Sequence, residues 1–202
     1  MKKVLSLITA IAALSGSASA YVPAYYAPGA LTPADWQPTY NVEALYALGE
    51  HNVPDAWGIR GSFCLYDSGE GAVRHQFSIN VASEWGSDNF RYENVTIDQD
   101  IWMLPVTAGY DINIGLSDIV FLDLGVKGGW ATGNYKESSK KYGSEKADFN
   151  GFTMGIGAGL KFICSDRIYV KVGYELNRTF ISDDIGVNIN QHVITAGIGA
   201  QF

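Results

Sequence analysis

The chain has 202 residues, of which 47% are hydrophobic and 17% are charged, and it contains 23 Gly, 12 Tyr and 5 Trp. This length suits a single domain, and the low charge content with abundant glycine and aromatic residues favours an all-β chain in an unusual solvent. The formal net charge of −7 argues against nucleic-acid binding, which requires patches of Lys and Arg that the sequence does not show.

The first twenty residues have the features of a secretory signal peptide. Lys2 and Lys3 precede an apolar run over 4–14, and a stretch of small residues ends at Ala20. The run is shorter than the ~20 apolar residues that a membrane-spanning helix needs, so we expect cleavage after Ala20 and export of the protein. The Pro- and Tyr-rich segment 21–38 disfavours both helix and strand and is predicted to be a periplasmic leader.

From residue 39 onward, apolar residues alternate with polar or small residues, which is the period-two pattern of a strand between two different environments. In the third segment, for example, Phe77 and Ile79 oppose Ser78. Eight segments show this pattern: 39–48, 57–66, 73–85, 101–110, 119–131, 151–162, 168–180 and 191–202. Because only helices and closed barrels span membranes, the pattern predicts an all-β, eight-stranded antiparallel up-and-down transmembrane β-barrel over 39–202.

The connections between these segments differ in length in a regular way. If the mature N-terminus lies in the periplasm, the connections at 49–56, 86–100, 132–148 and 181–190 are extracellular, and the remaining shorter ones are periplasmic. Long outer loops and short inner turns are typical of outer-membrane barrels. The leader over 21–38 is then either flexible in the periplasm or packed in part beneath the barrel mouth.

The polar face of the predicted strands carries charges of both signs. The predicted lumen network consists of Glu43, Arg60, Arg74, Glu84, Asp123, Lys127, Lys161, Lys171 and Glu175. An eight-stranded barrel is only wide enough inside for side chains, and an unpaired buried charge is very costly. We therefore expect these residues to pair into a plug, with a narrow, low-conductance pore as the alternative.

Aromatic residues of the apolar face fall near both ends of the predicted strands. The predicted girdles consist of Tyr40, Trp57, Trp85, Tyr110, Trp130, Phe152, Phe162 and Phe180. Aromatic rings prefer the headgroup levels of a membrane, so we expect one girdle at each interface.

The histidines give little support to an enzymatic role. His75 and Ser78 lie close together in sequence but on opposite faces of one strand, so they cannot form a nucleophile–base pair. His192, with Ser182 and Asp183 in the neighbouring loop, makes no recognisable motif. Three scattered histidines are too few for a metal site with standard spacing. We therefore predict no catalytic, cofactor or metal site. The alternative is a lipid-modifying, deacylase-like enzyme of the outer membrane. A third class, a soluble lipocalin-like barrel, would have the reverse pattern, with its apolar residues inside the barrel.

The two cysteines allow two states. Export places Cys64 and Cys164 in an oxidising compartment, where an even number of cysteines allows a disulfide. Both fall at the periplasmic end of the predicted barrel, but on strands that are separated around the wall, whereas a bridge needs Cα atoms within ~7 Å. We expect two free thiols.

The signal peptide, the eight alternating segments, "LPVTAGY" at 104–110 and the terminal Phe202 together resemble the small eight-stranded outer-membrane barrels of the OmpA transmembrane domain and OmpX type. The resemblance implies location in the outer membrane of a Gram-negative-type bacterium, contact with its lipids, and recognition of Phe202 by the barrel-assembly machinery. It also implies a structural or surface-interaction role without a cofactor. The third outer loop, rich in lysine, would then be the surface that meets a ligand or a host cell.

Overall fold

The computed structural model describes residues 39–50, 53–67, 73–141, 143–165, 167–181 and 188–201. The predicted signal peptide with its cleavage site at Ala20, the leader over 21–38 and the assembly signal at Phe202 lie outside the described residues. The part of the chain that the structure describes contains no helix of sufficient length and hydropathy to cross a membrane.

The described residues form eight strands. They are β1 (Thr39–Gly49), β2 (Ala56–Asp67), β3 (Val73–Tyr92), β4 (Val95–Gly115), β5 (Val120–Ser139), β6 (Gly143–Ile163), β7 (Ile168–Ile181) and β8 (Ile189–Gln201). Each strand pairs antiparallel with the next, and β1 pairs with β8 from Thr39 opposite Gln201 to Gly49 opposite Gln191. The sheet is therefore a closed, eight-stranded up-and-down barrel, which confirms the predicted fold class.

Alternation of side chains along each strand sets the outer and inner faces of the barrel. On β6, Phe152, Met154 and Ile156 are exposed on the outside, whereas Thr153 between them is buried. Successive residues of a strand point to opposite faces, so the apolar set of each segment forms an outer band and the polar set fills the lumen. Because the barrel is narrow, most lumen side chains are buried although they are polar.

A β-bulge interrupts this alternation at the end of β2. Cys64 pairs with Ser78, but the next pair along the ladder is Tyr66 with Phe77. The extra residue places Leu65 and Tyr66 together on the outer face, where both are about half exposed. It also returns Asp67 to the lumen side, where its carboxylate faces Arg74.

The predicted loop at 86–100 is wrong, because this segment continues strands β3 and β4. The two strands remain paired up to Tyr92 opposite Val95, and a two-residue turn at Glu93 and Asn94 joins them. Both turn residues have positive φ, 45° and 65°, as in the type I′ turn whose twist matches that of a hairpin. A strand that leaves the membrane has water on both faces and loses its apolar alternation, so the pattern does not reveal it.

The predicted loop at 132–148 is likewise a hairpin. Strands β5 and β6 pair up to Ser139 opposite Gly143, and Gly143 has a positive φ of 86°, which a glycine adopts without strain. Strands β4 and β5 also stay paired in this region, from Trp102 opposite Asn134 to Ile97 opposite Ser139. Residues 86–101 and 132–150 therefore form one four-stranded sheet that extends beyond the barrel rim, here called the wall.

Apolar residues close the lumen at the end that carries the wall. This layer, here called the cap, consists of Leu45, Ala47, Ala56, Ala82, Ile101, Met103, Ala131, Phe149, Ile189 and Val193. Phe149 is 1% exposed and Val193 is 0% exposed, so the layer is tightly packed. A smaller cluster of Phe121, Ile163 and Tyr169 lies near the opposite end. The charged part of the lumen is thus bounded on the wall side by apolar packing.

Candidate functional site

Arg60 is the centre of an ion-pair network in the lumen. Its Nε donates a hydrogen bond to Glu43 at 2.5 Å, and Nη1 and Nη2 donate to the two oxygens of Glu175 at 2.9 and 2.7 Å. Lys127 Nζ donates to the same Glu175 carboxylate at 2.5 Å. Glu43 lies directly opposite Arg60 on the neighbouring strand, whereas Glu175 reaches from the far side of the barrel. The network therefore ties β1, β2, β5 and β7 together across the lumen.

Glycines make room for these side chains. Gly157 lies opposite Glu175, and a Cβ at this position would be 2.8 Å from Glu175 Cγ. Gly197 lies opposite Glu43, and its Cβ would meet Glu43 Cγ at 2.5 Å. Since real Cβ atoms do not approach so closely, a larger residue at either position would displace a carboxylate of the network.

A second set of polar contacts lies nearer to the short-turn end. Lys171 forms an ion pair with Asp123, which is 3% exposed. Lys161 Nζ donates to Gln76 Oε1 at 3.2 Å and lies 4.8 Å from the centre of the Tyr169 ring. These contacts give each buried lysine a partner, as buried charges require.

Two further contacts complete this lower layer. Asn113 Nδ2 donates to Gln76 Oε1 at 2.9 Å, and Arg74 Nη1 lies 4.0 Å from Asp67 Oδ2. Nearer the cap, Gln191 Nε2 donates to Glu84 at 3.2 Å. The lumen thus holds layers of paired polar groups below the cap.

The structure places the nine predicted network residues inside the barrel and divides them between these layers. Arg60, Glu43, Lys127 and Glu175 share the central network, whereas Glu84 lies closer to the cap. Sequence reasoning missed two acidic residues of the lumen. Asp67 is turned inward by the β-bulge, and Asp111 faces the lumen on β4. Asp111 keeps the inward parity of Thr107 and Gly109, so a longer β4 in the prediction would have found it.

A cavity of about 80 Å³ remains between the central network and the lower layer. Its lining includes Glu43, Arg60, Asp123, Lys171 and Glu175. A polar cavity of this size holds a few water molecules. It is too small for an organic ligand, since ligand pockets usually exceed roughly 300 Å³.

The predicted girdle residues lie on the outer face in cross-strand rows. On the wall side, Trp57 pairs with Trp85, and Phe152 pairs with both Trp130 and Phe180. Six of the eight are among the exposed apolar residues: Tyr40, Trp57, Trp85, Trp130, Phe152 and Phe180. Tyr110 and Phe162 are half-buried. Trp102 and Tyr46 were not in the predicted girdle, yet Trp102 pairs with Trp85 and Tyr46 with Trp57, so they continue the same row.

The histidines and cysteines have local partners. His75 faces outward and its Nδ1 lies 2.7 Å from the hydroxyl of Tyr110, whereas Ser78 is buried on the lumen side. His192 also faces outward and contacts Tyr174 and Glu50; the candidates Ser182 and Asp183 lie outside the described residues. Both cysteines are free thiols, with Cys64 Sγ donating to the carbonyl of Tyr66 at 3.1 Å.

The wall has its own polar contact on the face that continues the lumen side. Gln99 Nε2 donates to Glu137 Oε1 at 2.9 Å, and the Tyr135 hydroxyl donates to the same oxygen at 2.6 Å. Burial, reinforced by the hydrogen bond to Glu137, raises the pKa of Tyr135 above its usual value. Tyr135 therefore stays a hydrogen-bond donor at any physiological pH. Gln99 of β4, which donates to the same carboxylate, links β4 to β5 of the wall.

A closed eight-stranded barrel with an apolar, aromatic-rimmed exterior and a charged lumen defines the class of outer-membrane β-barrel proteins. Residues 5–202 match the family of the outer membrane protein beta-barrel domain, and the chain belongs to that family. The protein is located in the outer membrane. In this class the segments that extend beyond the membrane are short on the periplasmic side and long on the extracellular side. The wall and the cap therefore lie on the extracellular side.

Two solved structures, those of Neisserial surface protein A and the Thermus thermophilus protein, show the same fold at low sequence identity. Neisserial surface protein A superposes with a TM-score of 0.55 at 12% identity, over 82% of this chain and 96% of that chain. A major outer membrane protein from Thermus thermophilus gives a TM-score of 0.50 at 9% identity, over 82% and 99%. The attachment invasion locus protein Ail of Yersinia pestis gives 0.46 at 18% identity, over 82% and 97%. No curated protein matches the chain in sequence.

Proposed function

We propose that the protein is a non-conducting, non-enzymatic barrel of the outer membrane that presents the wall to the cell's surroundings as an interaction surface. The observation that carries this proposal is the wall itself. Four strands continue beyond the rim as a paired sheet, although the barrel does not need them for closure. At a rise of about 3.4 Å per residue, the β5–β6 hairpin extends roughly 30 Å past Trp130.

The wall has two strand edges that suit docking. Strand β2 accompanies β3 only up to Ala56 opposite Gly86, and β7 accompanies β6 only up to Gly151 opposite Ile181. In the part of the chain that the structure describes, β3 and β6 are therefore the outer strands of the wall. Such edges can take up an extended segment of another protein by backbone hydrogen bonding, with side chains supplying specificity.

The two hairpins also differ in charge. The β3–β4 hairpin carries Asp88, Glu93, Asp98 and Asp100 with one basic residue, Arg91. The β5–β6 hairpin carries Lys136, Lys140, Lys141 and Lys146 with three acidic residues. A partner therefore meets an acidic hairpin on one half of the wall and a lysine-rich hairpin on the other, which favours one orientation of docking.

The absence of conduction is the second part of the proposal. The central ion pairs fill the lumen and the apolar cap lies above them, so a hydrated ion would have to lose its water while crossing apolar side chains. Planar-bilayer recordings of the purified protein are expected to show no channel steps. Phe149→Ser together with Met103→Ser is expected to raise conductance if the cap is the seal, and steady channels in the unmodified protein would overturn this part.

Whole-cell adhesion to host-cell monolayers tests the interaction role. Asn134 pairs with Asp148 and Ser87 with Asp100, so replacing 135–147 or 88–99 by Asn-Gly closes each hairpin in its existing register. Cells with both replacements are expected to lose adhesion, and Lys136→Gln with Lys146→Gln separates the role of charge from that of the strand edges. Each variant is compared at the same amount of protein on the cell surface, and heat-modifiable migration shows that it is folded. If all variants then adhere as well as the wild type, the interaction role is refuted.

A further inference from the structure

The two outer strands of the wall run in opposite directions. In the part of the chain that the structure describes, they are β3 and β6, whose portions beyond the rim are 87–92 and 143–150. Strand β3 enters the wall from the barrel, and β6 returns from the wall to the barrel. All copies of a barrel share one orientation in the outer membrane, so β3 of one copy is antiparallel to β6 of a neighbouring copy.

Both outer edges begin at the same level of the barrel. The edge of β3 begins after Gly86, which follows the girdle residue Trp85, and the edge of β6 ends at Gly151, which precedes the girdle residue Phe152. Aromatic girdles mark the level of the membrane interface. The two edges of neighbouring copies therefore face each other at the same height above the membrane.

The spacing of the strands allows barrels to stand side by side while their walls pair. Strands lie ~4.8 Å apart and tilt by about 40° in a barrel, so each takes up roughly 6 Å along the membrane. A row of walls with four strands per copy would thus repeat every ~25 Å. A ring of eight strands at this spacing is roughly 16 Å across at the backbone, and outward side chains add about 5 Å on each side. The barrel is therefore about as wide as the repeat of the row.

Charge and strand direction both favour β3 beside β6 over two identical edges. The β3–β4 hairpin has an excess of acidic residues and the β5–β6 hairpin an excess of lysine. Two identical edges would bring hairpins of like net charge together, and their strands would be parallel. One register of β3 beside β6 sets Arg91 opposite Asp148 on the outer face, and the same register sets Asn89 opposite Asn150. All four of these residues are exposed.

We propose that copies of this protein pair edge to edge in the outer membrane, with β3 of one wall beside β6 of the next. The pairing extends the antiparallel sheet of the wall from copy to copy by backbone hydrogen bonds. Because it joins two different edges, each copy can take a neighbour on both sides, and more than two copies assemble. This inference rests on the proposed role of the wall as an interaction surface, and it names a second copy as the partner.

Disulfide cross-linking in intact outer membranes tests the proposal. In a chain that carries Cys64→Ala and Cys164→Ser, the pair Asn89→Cys and Asn150→Cys is expected to give a ladder of dimers, trimers and larger species on oxidation. Within one copy β3 and β6 are three strand spacings apart, about 14 Å, which exceeds the reach of a disulfide. Either cysteine alone is expected to leave monomers, and co-expression of the two single-cysteine chains is expected to stop at dimers.

The matched control, Asn89→Cys with Lys136→Cys, moves one cysteine from the outer strand to β5 and is expected to give no ladder. In the Asn89→Cys, Asn150→Cys chain, Arg91→Glu sets like charges opposite each other and is expected to lower the cross-linked fraction about threefold. Adding Asp148→Arg is expected to restore it. Heat-modifiable migration shows that each variant is folded.

Three results would overturn the proposal. They are a double-cysteine chain that stays monomeric, a ladder of equal strength in the control, and dimers from Asn89→Cys alone, which would mean that identical edges meet. Adhesion to host cells is measured separately on the same cells. A ladder on cells that do not adhere would support pairing between copies and count against the adhesive role, whereas adhesion without a ladder would do the reverse.

Discussion

The ion pairs of the lumen and those of the wall use the same residue types in opposite environments. In the lumen, the side chains of Arg60 and Glu43 are 6% and 1% exposed. On the wall, Lys146 lies 3.5 Å from Asp148, and the two side chains are 59% and 79% exposed. A buried pair cannot lose one member without leaving a charge that water does not reach, whereas a surface pair is replaced by hydration. The number of ion pairs therefore says little about stability until burial is known.

The largest expected effect follows from removing the central cation. Arg60→Met leaves Glu43 and one side of Glu175 without their partner, and we expect it to lower the free energy of unfolding by about 3–5 kcal/mol. Urea-induced unfolding in lipid vesicles measures this. Arg60→Lys, which keeps the charge but not the forked geometry, is expected to fall between wild type and Arg60→Met. An unchanged midpoint for Arg60→Met would show that water reaches the network.

A smaller effect is expected in the lower layer. Lys171→Met leaves Asp123 without its ion-pair partner, and we expect a loss of about 2 kcal/mol, since Lys171 is 19% exposed and Lys161 lies close by. Adding Asp123→Asn removes the carboxylate charge that Lys171→Met leaves unpaired. The double variant is therefore expected to regain most of the lost free energy of unfolding. If the double variant loses as much free energy of unfolding as the two single variants lose together, the two residues are not coupled.

The smallest effect is expected on the wall. Lys146→Met removes an exposed partner of Asp148, and the free energy of unfolding is expected to change by less than about 0.5 kcal/mol. Added salt should reduce this small difference further, because salt screens the attraction between exposed charges. A loss comparable to that of Lys171→Met would erase the distinction between the two regions.

The barrel is predictable from sequence because a membrane imposes period two on every spanning strand. The eight strands follow from parity alone, and so does the lumen position of the nine predicted network residues, as Arg60 between Ile59 and Gly61 illustrates. Parity fails where the chain leaves that environment. The strands of the wall, with water on both faces, have the sequence pattern of loops, and the bulge at Cys64 hides Asp67.

The cap also escapes sequence reasoning, for a different reason. Met103 and Phe149 lie on the lumen side, where the pattern predicts only polar or small residues. Parity assigns a residue to a face of the barrel, but it does not identify the residue's neighbours across strands. The contact of His192 with Glu50 joins residues at opposite ends of the chain, which no local pattern shows.

The seam between the first and last strands has a consequence for biosynthesis. Thr39 to Gly49 of β1 find their second set of backbone partners only in Gln191 to Gln201 of β8, the part of this sequence that a ribosome makes last. Until then β1 has one unsatisfied edge, and lipid cannot supply the missing hydrogen bonds. A chain that ends before Ile189 lacks β8 and would therefore leave one edge of β1 and one edge of β7 without a partner strand. Ring closure thus makes the first strand depend on the last for half of its backbone hydrogen bonds.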